Sequence, residues 1–91
     1  MLLRNYMEEV VDGTLDEIMS YRDDVCKCER CRMDTKALAL NHLPPKYVVT
    51  DMGYIYTKIN ELESQFKADI TVAVTNAIKI IRKNPRHEAE G

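Results

Sequence analysis

The chain has 91 residues, of which 45% are hydrophobic and 31% charged, the make-up of one soluble globular domain without a membrane span, which needs about 18 or more consecutive apolar residues. Thirteen Lys and Arg against fifteen Asp and Glu leave a formal charge of −2, which opposes direct, sequence-independent nucleic-acid binding because that needs a positive field. A domain this small buries only about 60–65% of the surface its unfolded chain exposes, so a staple such as a metal, a disulfide or a partner subunit is expected.

Met1 to Val11 carries one arginine, then two adjacent glutamates, and no uninterrupted apolar stretch. No signal peptide is expected, and the expected location is cytoplasmic. Met7, Val10, Val11, Leu15, Ile18 and Met19 recur at helical spacing. Gly13 interrupts this run at a cost of about 1 kcal/mol relative to alanine. Thr14 and Glu17 have capping-box spacing and offer a restart, but the periodicity runs through both and predicts one helix.

Asp23 to Arg30 is charged, bears cysteines and reads as a connecting loop. A shorter helix is predicted from Cys31 to Asn41, with Met33, Ala37 and Leu40 on one face. Pro44 and Pro45 stop it, since neither donates a backbone hydrogen bond and each disfavours helix before it. Lys46 to Tyr56 holds three tyrosines, two valines and Gly53. Tyrosine and valine favour strands, but a lone strand has no evident partner, so an extended connector is expected.

Ile59, Leu62, Phe66, Ile70, Ala73, Val74, Ala77, Ile78 and Ile81 then step by three and four. Val72 and Ile80 lie off the stripe and widen it. Self-association and a tightly wrapped monomeric core account for that width equally well. Asn84-Pro85 ends the helix, leaving a flexible tail at 84–91. The expected fold is all-α: a single small helical domain over 1–91 with three to four helices.

All three cysteines fall within six residues: Cys26, Cys28 and Cys31. Cys28 and Cys31 have the C-x2-C spacing by which a tight turn or a first helical turn aims two sulfurs at one ion, and Cys26 can swing in as a third. Thiolates are soft donors that select zinc, copper(I) or iron–sulfur over magnesium or calcium, and zinc is the expected cofactor. Incidental packing explains three thiols in a charged loop poorly. Lys27, Arg30 and Arg32 are expected to offset the charge of a metal–thiolate complex. The fourth ligand has several candidates: His42, His87, Asp34, Glu29, water, or a residue of another subunit, and His87 is the expected one. No general base accompanies the cluster, and with only three glycines no phosphate-cradling loop appears, so catalysis is not expected.

The segment Asp34 to Val49, DTKALALNHLPPKYVV, follows the cysteine cluster and precedes QFKADITVAVTNAIKIIRKNPRH. Together these resemble the late competence development protein ComFB family, most specifically at Ala37 to Tyr47. The resemblance implies an α-helical, intertwined homodimer without known enzymatic activity, found in bacteria and associated with competence. It also implies a cysteine-bound zinc, with three of the positions kept at Cys26, Cys28 and Cys31; members with a full set take a fourth cysteine from elsewhere, and this chain has none. Other members are described as cyclic dinucleotide receptors.

Two phosphates call for Arg or Lys, two purines for stacking surfaces, and a two-fold interface can present both twice. Lys79, Arg82, Lys83 and Arg86 form a basic stripe, and Lys46 with Tyr47 offers a second contact. Cations also gather at helix C-termini through the helix dipole alone, and Tyr47, Tyr54 and Tyr56 can simply cover core with their rings. The expected function is a non-enzymatic, zinc-stapled dimeric bacterial regulator facing a protein partner. The alternative is a cyclic di-GMP or cyclic di-AMP receptor using Lys46, Tyr47, Arg82 and Arg86.

Overall fold

Asn5 starts the first helix. Its side-chain oxygen accepts from the Met7 amide at 3.1 Å, satisfying one donor that the helix itself leaves over. The computed structural model describes residues 2–60 and 64–83, with backbone alone at 56–60 and at 64. The expected tail at 84–91, with Arg86 and His87, and the apolar position Leu62 lie outside the described residues.

The chain enters through a two-residue strand, β1 (Arg4–Asn5), and continues as α1 (Tyr6–Tyr21). Glu8 and Glu9 sit in the first turn of α1, where the helix dipole favours negative charge. Helix α1 runs unbroken past Gly13, as its periodicity predicts, and the Arg22 amide closes it on the Ile18 carbonyl at 3.2 Å. A loop over 22–28 leads to α2 (Glu29–Asn41), which begins two residues before the predicted start. His42 caps it, its amide reaching the Ala39 carbonyl at 3.0 Å and its Nδ1 lying 2.9 Å from the Leu38 carbonyl oxygen.

The expected connector at 46–56 is instead a strand and a helix. β2 (Tyr47–Val48) pairs antiparallel with β1, Arg4 opposite Val48 and Asn5 opposite Tyr47. The partner lies about forty residues upstream in sequence, too short and too polar to be read as a strand. Then α3 (Asp51–Asn60) begins with Thr50, whose hydroxyl accepts from the Gly53 amide at 3.1 Å in the capping geometry. The last helix, α4 (Ser64–Lys83), carries Arg82 and Lys83 in its final turn. The fold is thus helical, with four helices among the described residues and one two-stranded ladder.

Helix α4 lies against both α1 and α2. Met7, Val11 and Leu15 of α1 share one buried core cluster with Ile70, Val74, Ala77 and Ile78 of α4. Val72 and Ile80 remain exposed, so the stripe on α4 is wider than the described core covers. On α2 the buried face is Cys31, Thr35 and Ala39 rather than Met33, Ala37 and Leu40. Met33 is 55% exposed. A helix so polar has no strong apolar stripe from which its inner face can be read.

Among the described residues, no helix is long and apolar enough to cross a membrane.

Candidate metal centre

The cysteines sit where the 22–28 loop runs into α2. Cys28 is the N-cap of α2, in an extended conformation, and its sulfur accepts from the Cys31 amide at 3.4 Å. Its carbonyl accepts from the Arg32 amide at 3.0 Å. The C-x2-C spacing therefore spans a helix cap and first turn, one of the two local geometries that bring such sulfurs together. Cys26 and Cys28 are exposed, whereas Cys31 points into the core. Thr35, one turn on, is buried too, and its hydroxyl donates to the Cys31 carbonyl at 2.7 Å, so that polar group is not stranded.

The three sulfurs lie within 4.8 Å of one another. Sulfurs on a tetrahedral zinc at about 2.3 Å would stand about 3.8 Å apart. Closing them onto an ion needs movements of about an ångström, within reach of side-chain rotation in the two exposed residues, so the donor set fits a thiophilic ion. The Cys28 thiol pKa is lowered, first by the Cys31 amide and further by the neighbouring sulfurs and the Arg30 amide. Burial pushes the Cys31 thiol up to about 12, and the two nearby sulfurs add to that. A bound cation would reverse the second shift, because a coordinated thiol is deprotonated.

Two further contacts hold the loop. Val25 is buried, inserting the loop into the core. Asp24 accepts from Arg22 at 2.6 and 3.0 Å and pairs with Arg82 of α4 at 3.2 Å. Those contacts, the Arg22 hydrogen bonds above all, hold the Asp24 carboxyl down to about 2. A cleft of about 250 Å³ opens beside the sulfurs, lined by Met19, Asp24, Cys26, Cys31, Thr35 and Arg82 among others. That is ample for a water, whose share of liquid volume is about 30 Å³.

The flanking cations are not all turned to the sulfurs. Arg30 pairs with Asp34 at 3.2 Å, and Arg32 crosses to α1, meeting Asp16 at 2.7 Å and Asp12 at 3.4 Å. Lys36 joins Asp12 at 2.8 Å. Arg32 thereby braces α1 against α2, and only Lys27 keeps the expected exposed place between two cysteines.

Among the described residues, the cysteines are joined by no His, Asp or Glu in a metal-sized group. Asp34 is paired with Arg30 and His42 caps the far end of α2; Glu29 is exposed. The preferred fourth ligand, His87, lies outside the described residues.

The ligand-contact candidates are spread apart. The Lys46 ammonium stands 5.5 Å from the Phe66 ring centroid, near the start of α4, and Tyr47 is 63% exposed on β2. Arg82 is sixteen residues further along α4, about 24 Å at the helical rise, and is occupied by Asp24. One chain does not bring them together, and Arg86 lies outside the described residues. Sequence reasoning missed Asp24 and Val25 as loop anchors. The N-cap role of Cys28 had one signal, an acidic Glu29 at the first helical position.

A family model described as late competence development protein ComFB matches residues 4–85. Over 84 residues the chain is 29% identical to competence protein ComFB of Bacillus subtilis (strain 168), covering 92% of this chain and 86% of that protein. A solved structure of the late competence protein ComFB from Bacillus subtilis superposes with a TM-score of 0.78 at 28% identity, covering 92% of this chain and 94% of the other.

Proposed function

Because this chain belongs to the late competence development protein ComFB family, we propose that it is a non-enzymatic regulatory protein that works as a homodimer, each protomer stapled by zinc at Cys26, Cys28 and Cys31. The observation that carries this reading is the convergence of the three sulfurs within 4.8 Å at a helix cap. An ion there would tie the loop to α2, and metal-binding free energy becomes folding free energy. The fourth position is left to water in the adjoining cleft, to His87 or to a second copy. Asp24, the carboxylate lining the adjoining cleft, is held by Arg22 and Arg82, which supports a structural role for the ion over one beside a general base.

Dimerisation is supported by the apolar surface left on α4. Val72 and Ile80 line a groove of about 590 Å³ with Leu38, Leu43 and Ala73, and a second copy would cover it. Zinc analysis is expected to give one equivalent per chain, with loss of helical signal on chelation. Light scattering is expected to give twice the chain mass. Protein purified without metal and with three rapidly alkylated thiols would overturn the staple, and a monomer would overturn the dimer.

The second reading, a cyclic dinucleotide receptor, is favoured by one observation: the Tyr47 ring is exposed beside Lys46 at the β1–β2 ladder. Two such pairs across a two-fold axis would offer a cation and a stacking face to each half of the ligand. Calorimetry with cyclic di-GMP and cyclic di-AMP tests it, with one ligand per dimer expected and absence of heat at high micromolar ligand counting against it.

A further inference from the structure

From the placement of the same sulfurs we propose a modification site: Cys28 and Cys31 form a reversible dithiol–disulfide couple whose co-reactant is a low-molecular-weight disulfide. Cys28 caps α2 at the surface and Cys31 lies in the first turn, buried. Their sulfurs lie within 4.8 Å of each other and the Cys28 sulfur already sits 3.4 Å from the Cys31 amide, so rotation of the two side chains can bring them to bonding distance. The asymmetry assigns the roles. An exposed sulfur meets an incoming disulfide, and a buried one is shielded from solvent reagents but reaches its neighbour.

Cys26 suits neither role as well. It is exposed like Cys28, but it lies in the loop, whereas Cys28 is fixed at the helix cap with its sulfur on the Cys31 amide.

The chemistry balances. The Cys28 sulfur attacks the external disulfide, forming a mixed disulfide and expelling one thiolate. The Cys31 sulfur then attacks the Cys28 sulfur, closing the bond and expelling the second thiolate. Two protein thiols lose two electrons, the external disulfide gains them, and the two protons end on the two released thiols. Where an ion is held, closing this bond removes two of its donors and releases it. The release arm rests on the zinc reading; the dithiol arm stands without it. Oxidation would then free Cys26 from the shared ion, while Val25, the Asp24–Arg82 pair and the new bond still hold the 22–28 loop.

The test uses the full chain, zinc-loaded and chelator-treated, equilibrated in graded mixtures of reduced and oxidised glutathione. The products are trapped by alkylation and read by intact mass and peptide mapping. Expected in chelated protein is a single transition losing two hydrogens, with Cys26 alkylated and Cys28 joined to Cys31. Zinc-loaded protein is expected to need at least ~10-fold more oxidised glutathione, since a ligand of the reduced form protects it, and to release its ion in step with the bond. Cys26→Ser, at an exposed position, is expected to keep the transition. Cys31→Ser is expected to stop at a glutathione adduct on Cys28; should that variant unfold, peptide mapping of the Cys26→Ser protein still decides the pairing. A bond from Cys26 to either Cys28 or Cys31, or only adducts and interchain bonds, overturns the couple whether or not zinc binds. A disulfide in protein that never takes up zinc leaves the couple standing and defeats the metal reading alone.

Discussion

Asp24 and Arg82 meet at 3.2 Å, joining the loop that carries the cysteines to the last turn of α4. Arg22 holds the same carboxylate at 2.6 Å. Because the group is about half exposed, its contribution is electrostatic steering of the loop rather than a large store of stability. It also has a defined pH dependence. The folded carboxyl titrates at about 2, below its ordinary 3.8, so its stabilisation is present above the ordinary value and lost as pH falls towards the folded one. Melting temperatures of the native chain and Asp24→Asn should differ at about neutral pH and converge between about pH 4 and pH 2. A gap that persists unchanged to the acid end would contradict this assignment.

Asn5 performs two tasks with one oxygen. It accepts from Met7 at 3.1 Å and from Lys46 at 2.9 Å, while the Lys46 carbonyl accepts from Tyr6 at 2.7 Å. Helix start and strand pairing therefore share an acceptor. Asn5→Ala is expected to cost about 1–3 kcal/mol, a cap plus a stranded donor, measured by urea denaturation. Asn5→Asp, which keeps the acceptor, should recover most of it; equal loss in both would show that the amide nitrogen matters instead.

Gly13 sits in an unbroken helix, and a Cβ added there meets nothing within 4 Å. Gly13→Ala is expected to stabilise the chain by up to about 1 kcal/mol, through helix propensity and a less free unfolded state. Destabilisation would mean that another surface packs closely on α1 at this point, and comparison across protein concentrations would reveal whether that surface is a second copy.

Leu15 and Val74 are both fully buried between α1 and α4. Leu15→Ala is expected to cost about 2–5 kcal/mol, the range for emptying a core site. Thermal unfolding followed by circular dichroism gives the value. A loss under about 1 kcal/mol would place the α1–α4 contact outside the main core.

In chelated, reduced protein the thiols should divide by exposure. Cys26 and Cys28 are expected to react with iodoacetamide in a fast phase, and buried Cys31 only on denaturation, since reactivity follows exposure and thiolate character. Three equal rates would remove the asymmetry on which the proposed couple depends.

Much of this was legible in the residues. The 3.6-residue spacing of Met7, Val11, Leu15 and of Ile70, Val74, Ala77 identified two helices and their inner faces. Spacing alone also placed the three sulfurs within reach of one centre, because Cys28 and Cys31 are separated by less than a helical turn and Cys26 by a short stretch of chain. Local geometry suffices for such features, since neighbours in sequence cannot be far apart in space.

What depended on distant partners was decided by the tertiary structure alone. Arg4–Asn5 became a strand only because Tyr47–Val48 came to lie beside it. Met33 turned outward once Cys31, Thr35 and Ala39 took the inner face of α2. Arg82 found Asp24 across about sixty residues of chain. A two-residue strand, a polar helix and a surface cation have no strong preference of their own, so packing and charge contacts between separated segments determined their places.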